Sequence, residues 1–241
     1  MKKIVLLHGW NYKNYSKYGC TDAWENRKGF VDALAAKFEV HKINLPGFCG
    51  APEPKNSWNL DDFTTFLETY LNSHGLQPDY ILGYSFGAAI ALNWKNKLQK
   101  KAKLILVSPA IIRAYKKSAT GKLSHFKKHL PRWLTLFFRD KYLKYLRNPY
   151  YTEGTRFLKE TYLNIVKIDL TNELVDIQPQ DVILIFGSED TATPFYLLKN
   201  RLTNPLLLNR IKVIEGGGHD IANSHLTNII HLIEKFDRNE N

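Results

Sequence analysis

Six short apolar runs, spaced along 241 residues with helical patterning between them, constrain the fold of this chain more than any other feature. They lie at Lys3–Leu7, Glu39–Asn44, Tyr80–Gly83, Lys103–Val107, Asp181–Phe186 and Ile211–Ile214. Their apolar character is near-continuous rather than alternating, which is the pattern of strands covered on both faces. Between them, Phe30, Val31, Leu34, Ala35 and Phe38 fall at helical spacing. So do Leu60, Phe63, Phe66, Leu67, Tyr70 and Leu71, and later Leu226, Ile229, Ile230 and Ile233. Three- and four-residue spacing gathers these side chains on one helix face. Strand–helix alternation predicts an α/β fold: a mostly parallel sheet of about six strands, helices on both faces, joined by right-handed crossovers.

The alternation breaks after "LILVSPA". From 111 to 170 the chain reads as helices, punctuated by Pro131 and Asn148-Pro149, with no clear strand. The simplest organisation is a core built from 1–110 and 171–241, with 111–170 inserted as a helical cap. The net charge of the chain is +11. The 111–170 segment carries 14 Lys and Arg against 4 Asp and Glu, so nearly all the excess lies there, together with 11 of the 31 aromatic residues. Trp133, Phe137 and Tyr142 are candidates to line an apolar substrate pocket, with Phe138 and Tyr145 beside them; packing of the cap against the core would use the same residues. Lys127, Lys128, Arg132, Arg139, Lys141, Lys144 and Arg147 are placed to steer an anionic substrate, or simply to form a solvated helix face. Basic and aromatic content fits nucleic-acid binding loosely, but no nucleic-acid motif accompanies it, and none is expected to bind.

One polar side chain, Ser85, sits in the apolar stretch "ILGYSFGAAIAL". Gly83-Tyr84-Ser85-Phe86-Gly87 matches G-x-S-x-G between a strand and a helix. A turn this sharp strains the central residue and brings neighbouring backbone close, so side chains at the two glycine positions would clash. The serine oxygen is left at the carboxyl edge of the sheet, where open parallel sheets bind ligands. The alternative is a tight junction with a solvated serine.

A serine hydroxyl is a poor nucleophile unless a base lies within hydrogen-bond reach and a third group orients that base. "VILIFGSEDTATP" places Asp190 in a loop after a strand, with Glu189 and Asp176 as competing acids. "IKVIEGGGHD" places His219 after the last strand. The chain order Ser, Asp, His suits a hydrolase of this topology. Backbone N–H groups of Phe86, at a helix start, and of Trp10, in "LLHGW", are candidates to hold a developing oxyanion. His8 is expected to brace its loop by hydrogen bonding rather than to act as a base.

The set HGW, "NLPGFCG", GYSFG, "GSEDTATP" and "GGGHD" resembles the α/β-hydrolase superfamily over roughly 1–110 and 171–241. It is most similar to esterase-like members with a helical cap, such as the carrier-protein methyl ester esterase of biotin synthesis. The resemblance implies Ser85 as nucleophile, Asp190 as acid, His219 as base, and the Trp10 and Phe86 amides as oxyanion hole. It also implies one or two strands ahead of the HG strand, whereas this sequence opens on that strand. Asn44 stands where an Asp is usual and Cys49 where a Gly is usual, and the loop after Trp10 is long.

The implied activity is hydrolysis of a carboxylic ester or thioester. The substrate would be a small ester or acyl compound, with anionic or carrier-linked groups and membrane-surface contact among the options the basic cap leaves open. Amide or C–C bond hydrolysis uses similar parts, and a non-catalytic binding protein on the same scaffold is a rival of another class. No cofactor and no metal are expected, since neither Cys20 nor Cys49 has a Cys or His at ligand spacing. Two free thiols and a reducing compartment are the simplest account of the cysteines. No run approaches the roughly 18 apolar residues of a membrane span, and "MKKIVLL" is too short for a secretion signal. A cytoplasmic location follows as the default expectation.

Overall fold

Each apolar run becomes a strand. The computed structural model describes residues 1–112 and 148–240. The strands are β1 (Lys3–Leu7), β2 (Glu39–Ile43), β3 (Tyr80–Tyr84), β4 (Lys103–Val107), β5 (Val182–Gly187) and β6 (Ile211–Ile214). They form one sheet in the order β2-β1-β3-β4-β5-β6, and every neighbouring pair is parallel. The expectation of two-sided cover holds for the four central strands. At the edges only Ile43 of β2 and Ile214 of β6 are buried, and "EVHKI" carries three polar residues accordingly.

Successive side chains of a strand point to opposite faces, and the core divides along that line. Val5, Leu7, Ile81, Leu104, Leu106, Leu184 and Phe186 pack with α2 (Leu60–Ser73) and α3 (Phe86–Leu98) on one face. Ile4, Leu6, Leu82, Ile105, Val107, Ile183 and Ile185 pack on the other. There they meet Phe30 and Leu34 of α1 (Lys28–Ala35) and, from the C-terminal helix Leu226–Asp237, Ile229, Ile233 and Phe236. The helix α2 starts on a capping box. The Asn59 side chain accepts from the Asp61 and Asp62 amides, and the Asp62 carboxylate accepts from the Asn59 amide, which satisfies three otherwise orphaned donors.

The central helix α3 is buried over most of its length, and its first turns are small: Gly87, Ala88, Ala89, Ala91. The reason is contact with the sheet's own backbone. A Cβ on Gly87 would lie 2.1 Å from the Leu7 carbonyl oxygen, and one on Gly83 would lie 2.4 Å from the Ala88 Cα. Further along α3, buried Lys95 reaches the start of the next strands. Its Nζ donates to the Lys100 and Ala102 carbonyls (2.9 Å each) and to Asp181 (3.1 Å), so the buried cation is fully partnered.

Of the 111–170 segment, only Ile111, Ile112 and 148–170 belong to the described residues. Its two ends are tied together: the Leu170 amide donates to the Ile111 carbonyl at 3.0 Å, and an isolated antiparallel bridge pairs Ile112 with Asp169. A helix at Arg156–Ile165 places Phe157 and Leu158 in the same core cluster as α2 and α3.

The cysteines differ from expectation. Cys20 and Cys49 form a disulfide, and among the described residues no cysteine is free. Two loops far apart in sequence run side by side here. Tyr15 and Phe48 make an antiparallel bridge, the Cys49 amide donates to the Asn14 carbonyl at 2.9 Å, and the two cysteine Cα atoms stand 4.5 Å apart. That spacing is within the range a disulfide needs. The argument from free thiols to a reducing compartment therefore falls away. No helix of the described residues is long and apolar enough to cross a membrane.

Substituting Gly87→Ala should cost about 3 kcal/mol of stability, because β1 and α3 must separate to admit the methyl group. Urea unfolding measures this; an unchanged midpoint would contradict the packing described.

Candidate active site

The carboxyl ends of β3, β5 and β6 bring three side chains into line. At the end of β3 the chain turns directly into α3, with Ser85 as the junction at φ 53° and ψ −111°. A non-glycine residue there costs on the order of 1–3 kcal/mol unless its surroundings hold it. They do. The Ser85 amide donates to the Val107 carbonyl (2.9 Å), and the Ser85 carbonyl accepts from Ala88 (3.1 Å) and Ala110 (3.0 Å). The loop after β1 closes over the turn so tightly that a Cβ on Gly9 would sit 2.9 Å from the Ser85 Cβ.

The Ser85 Oγ lies 3.2 Å from His219 Nε2, and His219 Nδ1 lies 2.8 Å from Asp190 Oδ2. An ionised carboxylate only accepts, so Nδ1 carries the proton and Nε2 is left to accept from the serine hydroxyl. The loops bearing the acid and the imidazole are themselves joined, the Glu189 amide donating to the Gly217 carbonyl at 2.8 Å. The Asp190 side chain is wholly buried, while that of His219 is 36% exposed. The imidazole is thus the member of the row that meets solvent.

Asp190 is surrounded by donors. Oδ1 accepts from the Ala192 and Thr193 amides (2.8 and 2.9 Å), and Oδ2 accepts from the Thr193 hydroxyl at 2.7 Å as well as from His219. Burial alone would push this carboxyl up. The hydrogen bond and charge of His219, with the donors of Thr193, outweigh it and bring it down to about 2. Of the competing acids, Asp176 lies at the end of a short helix beside Asn96, away from this row. Glu189 precedes Asp190 and is distinguished from it by lacking that bond to His219.

His8 is buried beside the site. Its Nε2 accepts from the Leu45 amide (2.9 Å), which places the proton on Nδ1, donating to the Gly9 carbonyl (2.8 Å). Burial pulls its pKa down to about 4, so the ring is neutral and serves as the loop brace. Asn44 fits the same corner, accepting from the Ala23 amide and donating to the Thr21 and Cys49 carbonyls. Only an amide does both; a carboxylate at this position would face two carbonyls.

Phe86 is the first residue of α3, so its amide has no partner within the helix. The Trp10 indole donates to the Tyr15 hydroxyl (2.8 Å), and its ring meets that of Phe86 edge-on at 5.5 Å. The two residues proposed for the oxyanion hole therefore pack on each other. Trp133, Phe137, Tyr142 and the basic residues between 127 and 147 lie outside the described residues. Thr193, Ser108 and Tyr84 were not singled out from the sequence. For Thr193 a signal existed: an Asp followed three residues later by Thr, ahead of a proline, is a side-chain-capped turn. Among the described residues no group of three or more His, Cys, Asp or Glu is gathered as a metal site would need.

A model of the alpha/beta hydrolase family matches residues 4–227. The chain belongs to this family. One relative is a Synechocystis sp. protein whose name carries the words non-heme chloroperoxidase, 22% identical over an alignment covering 97% of this chain and 90% of that protein. Another is the pimeloyl-[acyl-carrier protein] methyl ester esterase of Aeromonas hydrophila, 29% identical over 36% of this chain and 30% of that protein. Among solved structures, the meta-cleavage product hydrolase of Pseudomonas fluorescens is 17% identical, covers 100% of this chain and 92% of its own, and superposes with a TM-score of 0.66. The last likeness shows the fold alone.

A His that is neutral when folded and free to protonate when unfolded destabilises the native state on acidification. The contribution of His8 is complete above pH 6.5 and is lost as pH falls towards 4, on the order of 3 kcal/mol in all. The urea midpoint should decline across that window. In His8→Gln, whose amide oxygen can accept from Leu45, the decline should flatten; a variant tracking the parent would refute a neutral buried ring.

Proposed function

We propose that this family member is a serine hydrolase that cleaves carboxylic esters or thioesters through an acyl-enzyme. The observation that carries the reading is the unbroken row from Ser85 Oγ through the His219 ring to Asp190, at 3.2 and 2.8 Å. In this reading Ser85 Oγ attacks the acyl carbon while His219 Nε2 takes its proton. Asp190, held ionised and buried, keeps the tautomer and stabilises the imidazolium as it forms. The Trp10 and Phe86 amides receive the oxyanion, and an amide donor of this kind is typically worth about 3–4 kcal/mol. His219 then protonates the leaving group, and water repeats the sequence on the acyl-enzyme. The partial exposure of the His219 side chain supports this, because the second half-reaction needs water within reach of the imidazole.

The substrate class follows from charge. The segment 111–170 is strongly basic by sequence, and its two ends are tied to each other through Ile111 and Leu170, next to Ala110, whose amide donates to the Ser85 carbonyl. We propose an acyl substrate with an anionic leaving or acyl group. Such a group would be drawn by long-range attraction that salt screens within about 10 Å at 0.1 M.

Ser85→Ala should lower hydrolysis of short p-nitrophenyl esters by at least about 10³-fold and abolish labelling by a fluorophosphonate probe, without loss of folding. Retained hydrolysis, or a parent that the probe does not label, would overturn the assignment. For the substrate class, kcat/KM should fall with added salt for a carboxylated ester and stay level for its neutral counterpart; equal salt responses would count against steering.

A further inference from the structure

The base of the row is fixed by something other than its acid. His219 sits in a glycine-rich loop that has little side-chain packing of its own, yet its carbonyl oxygen meets two hydroxyl groups. The Tyr84 hydroxyl donates to it at 2.6 Å and the Ser108 hydroxyl at 3.0 Å. Tyr84 immediately precedes Ser85. Ser108 immediately follows β4 and is wholly buried at φ 44°, a conformation few side-chain-bearing residues adopt. Its amide donates to the Ile185 carbonyl at 2.8 Å, which anchors the turn to β5.

Ser108 also faces the acid. Its carbonyl oxygen lies 3.1 Å from the Thr193 hydroxyl, the group that stands 2.7 Å from Asp190 Oδ2. One residue thereby touches the backbone of the base through its side chain and the partner of the acid through its main chain. Outside this pair, the Arg27 guanidinium covers the Tyr84 ring at 4.2 Å and pairs with Asp220, the residue after His219, at 2.8 Å.

We propose that Tyr84 and Ser108 are positioning residues, a two-hydroxyl clamp on the His219 carbonyl that sets the imidazole between Ser85 and Asp190. The inference rests on the hydrolase reading for its kinetic readout, but not for its spectroscopic one. A backbone carbonyl can accept two hydrogen bonds, and two donors from different strands fix the loop in two directions. One donor alone holds it less firmly. A shift of about 1 Å in a catalytic group can cost about a hundredfold in rate. The backbone strain at Ser108 has a purpose on this account: it brings hydroxyl and carbonyl of one residue to bear on opposite arms of the same row.

The test compares Tyr84→Phe, Ser108→Ala and the double variant with the parent. Each single variant should lose about 3–10-fold in kcat, the double variant about 100-fold, with KM nearly unchanged. The low-field proton resonance expected in the parent from the His219–Asp190 hydrogen bond should broaden or vanish in the double variant; a parent without that resonance would also overturn the clamp's geometry. A residue that merely supports the fold would lower the urea midpoint and leave that resonance and the kcat per folded site intact. That outcome overturns the clamp. If Ser108→Ala fails to fold, Ser108→Gly, which removes the same hydroxyl and tolerates φ 44°, takes its place in the double variant, and an unaltered resonance again overturns the clamp. If the parent takes no ester and no fluorophosphonate, the proposed function fails while the resonance still decides the clamp.

Discussion

The placement of Ser85 in the candidate site descends from how closely α3 approaches the end of β1. With only hydrogen on the Gly87 Cα, the helix can rest on the Leu7 carbonyl, and the turn ahead of it can be sharp enough to hold Ser85 at φ 53°. A wider separation would lower Ser85 into the sheet or lift it away from Gly9. The surrounding amides and carbonyls then lock a conformation that serine would not choose by itself. The parallel sheet supplies the rest: the ends of β3, β5 and β6 deliver three loops to one edge, with β4 between the first two, so residues 85, 190 and 219 meet without any of the loops being long.

The site divides its burial unevenly, and the division suits its chemistry. Asp190 is sealed and surrounded by donors, which holds its charge in place. His219 touches solvent on one side and the carboxylate on the other. His8, a few residues from the same turn, shows the opposite treatment. Burial outweighs the attraction of Asp22 and makes it neutral, and its two nitrogens are used up by backbone groups. Two histidines near one serine thus have distinct settings: one is buried with Nδ1 on a carbonyl, the other is part-exposed with Nδ1 on a carboxylate.

The sheet was legible because its four central strands are covered on both faces, which leaves continuous apolar runs that nothing else in a chain of this size explains. The edge strands were weaker, and β2, with Glu39, His41 and Lys42, was readable mainly from its place between helices. Ser85 announced itself through its glycines, since close backbone approach excludes every larger residue. Asp190 and His219 were visible only as loop residues after strands; the one local mark that separates Asp190 from Glu189 is the Thr three residues on, which caps the turn that aims its carboxylate inward. The disulfide left no trace, because the neighbourhood of Cys20 and Cys49 depends on two loops meeting through Tyr15 and Phe48. Tyr84 and Ser108 were equally silent, as their role lies in a carbonyl contributed by residue 219.

The tie between Ile111–Ile112 and Asp169–Leu170 has a consequence for how such a chain can change over time. Its two stems meet in hydrogen bonds, so the core treats everything between them as one closed excursion. The entropy of closing an excursion grows only with the logarithm of its length, about 0.6 kcal/mol per doubling. A change of length within it is cheap on that count, but not at Phe157, Leu158 and Ile165, which belong to the core cluster shared with α2 and α3.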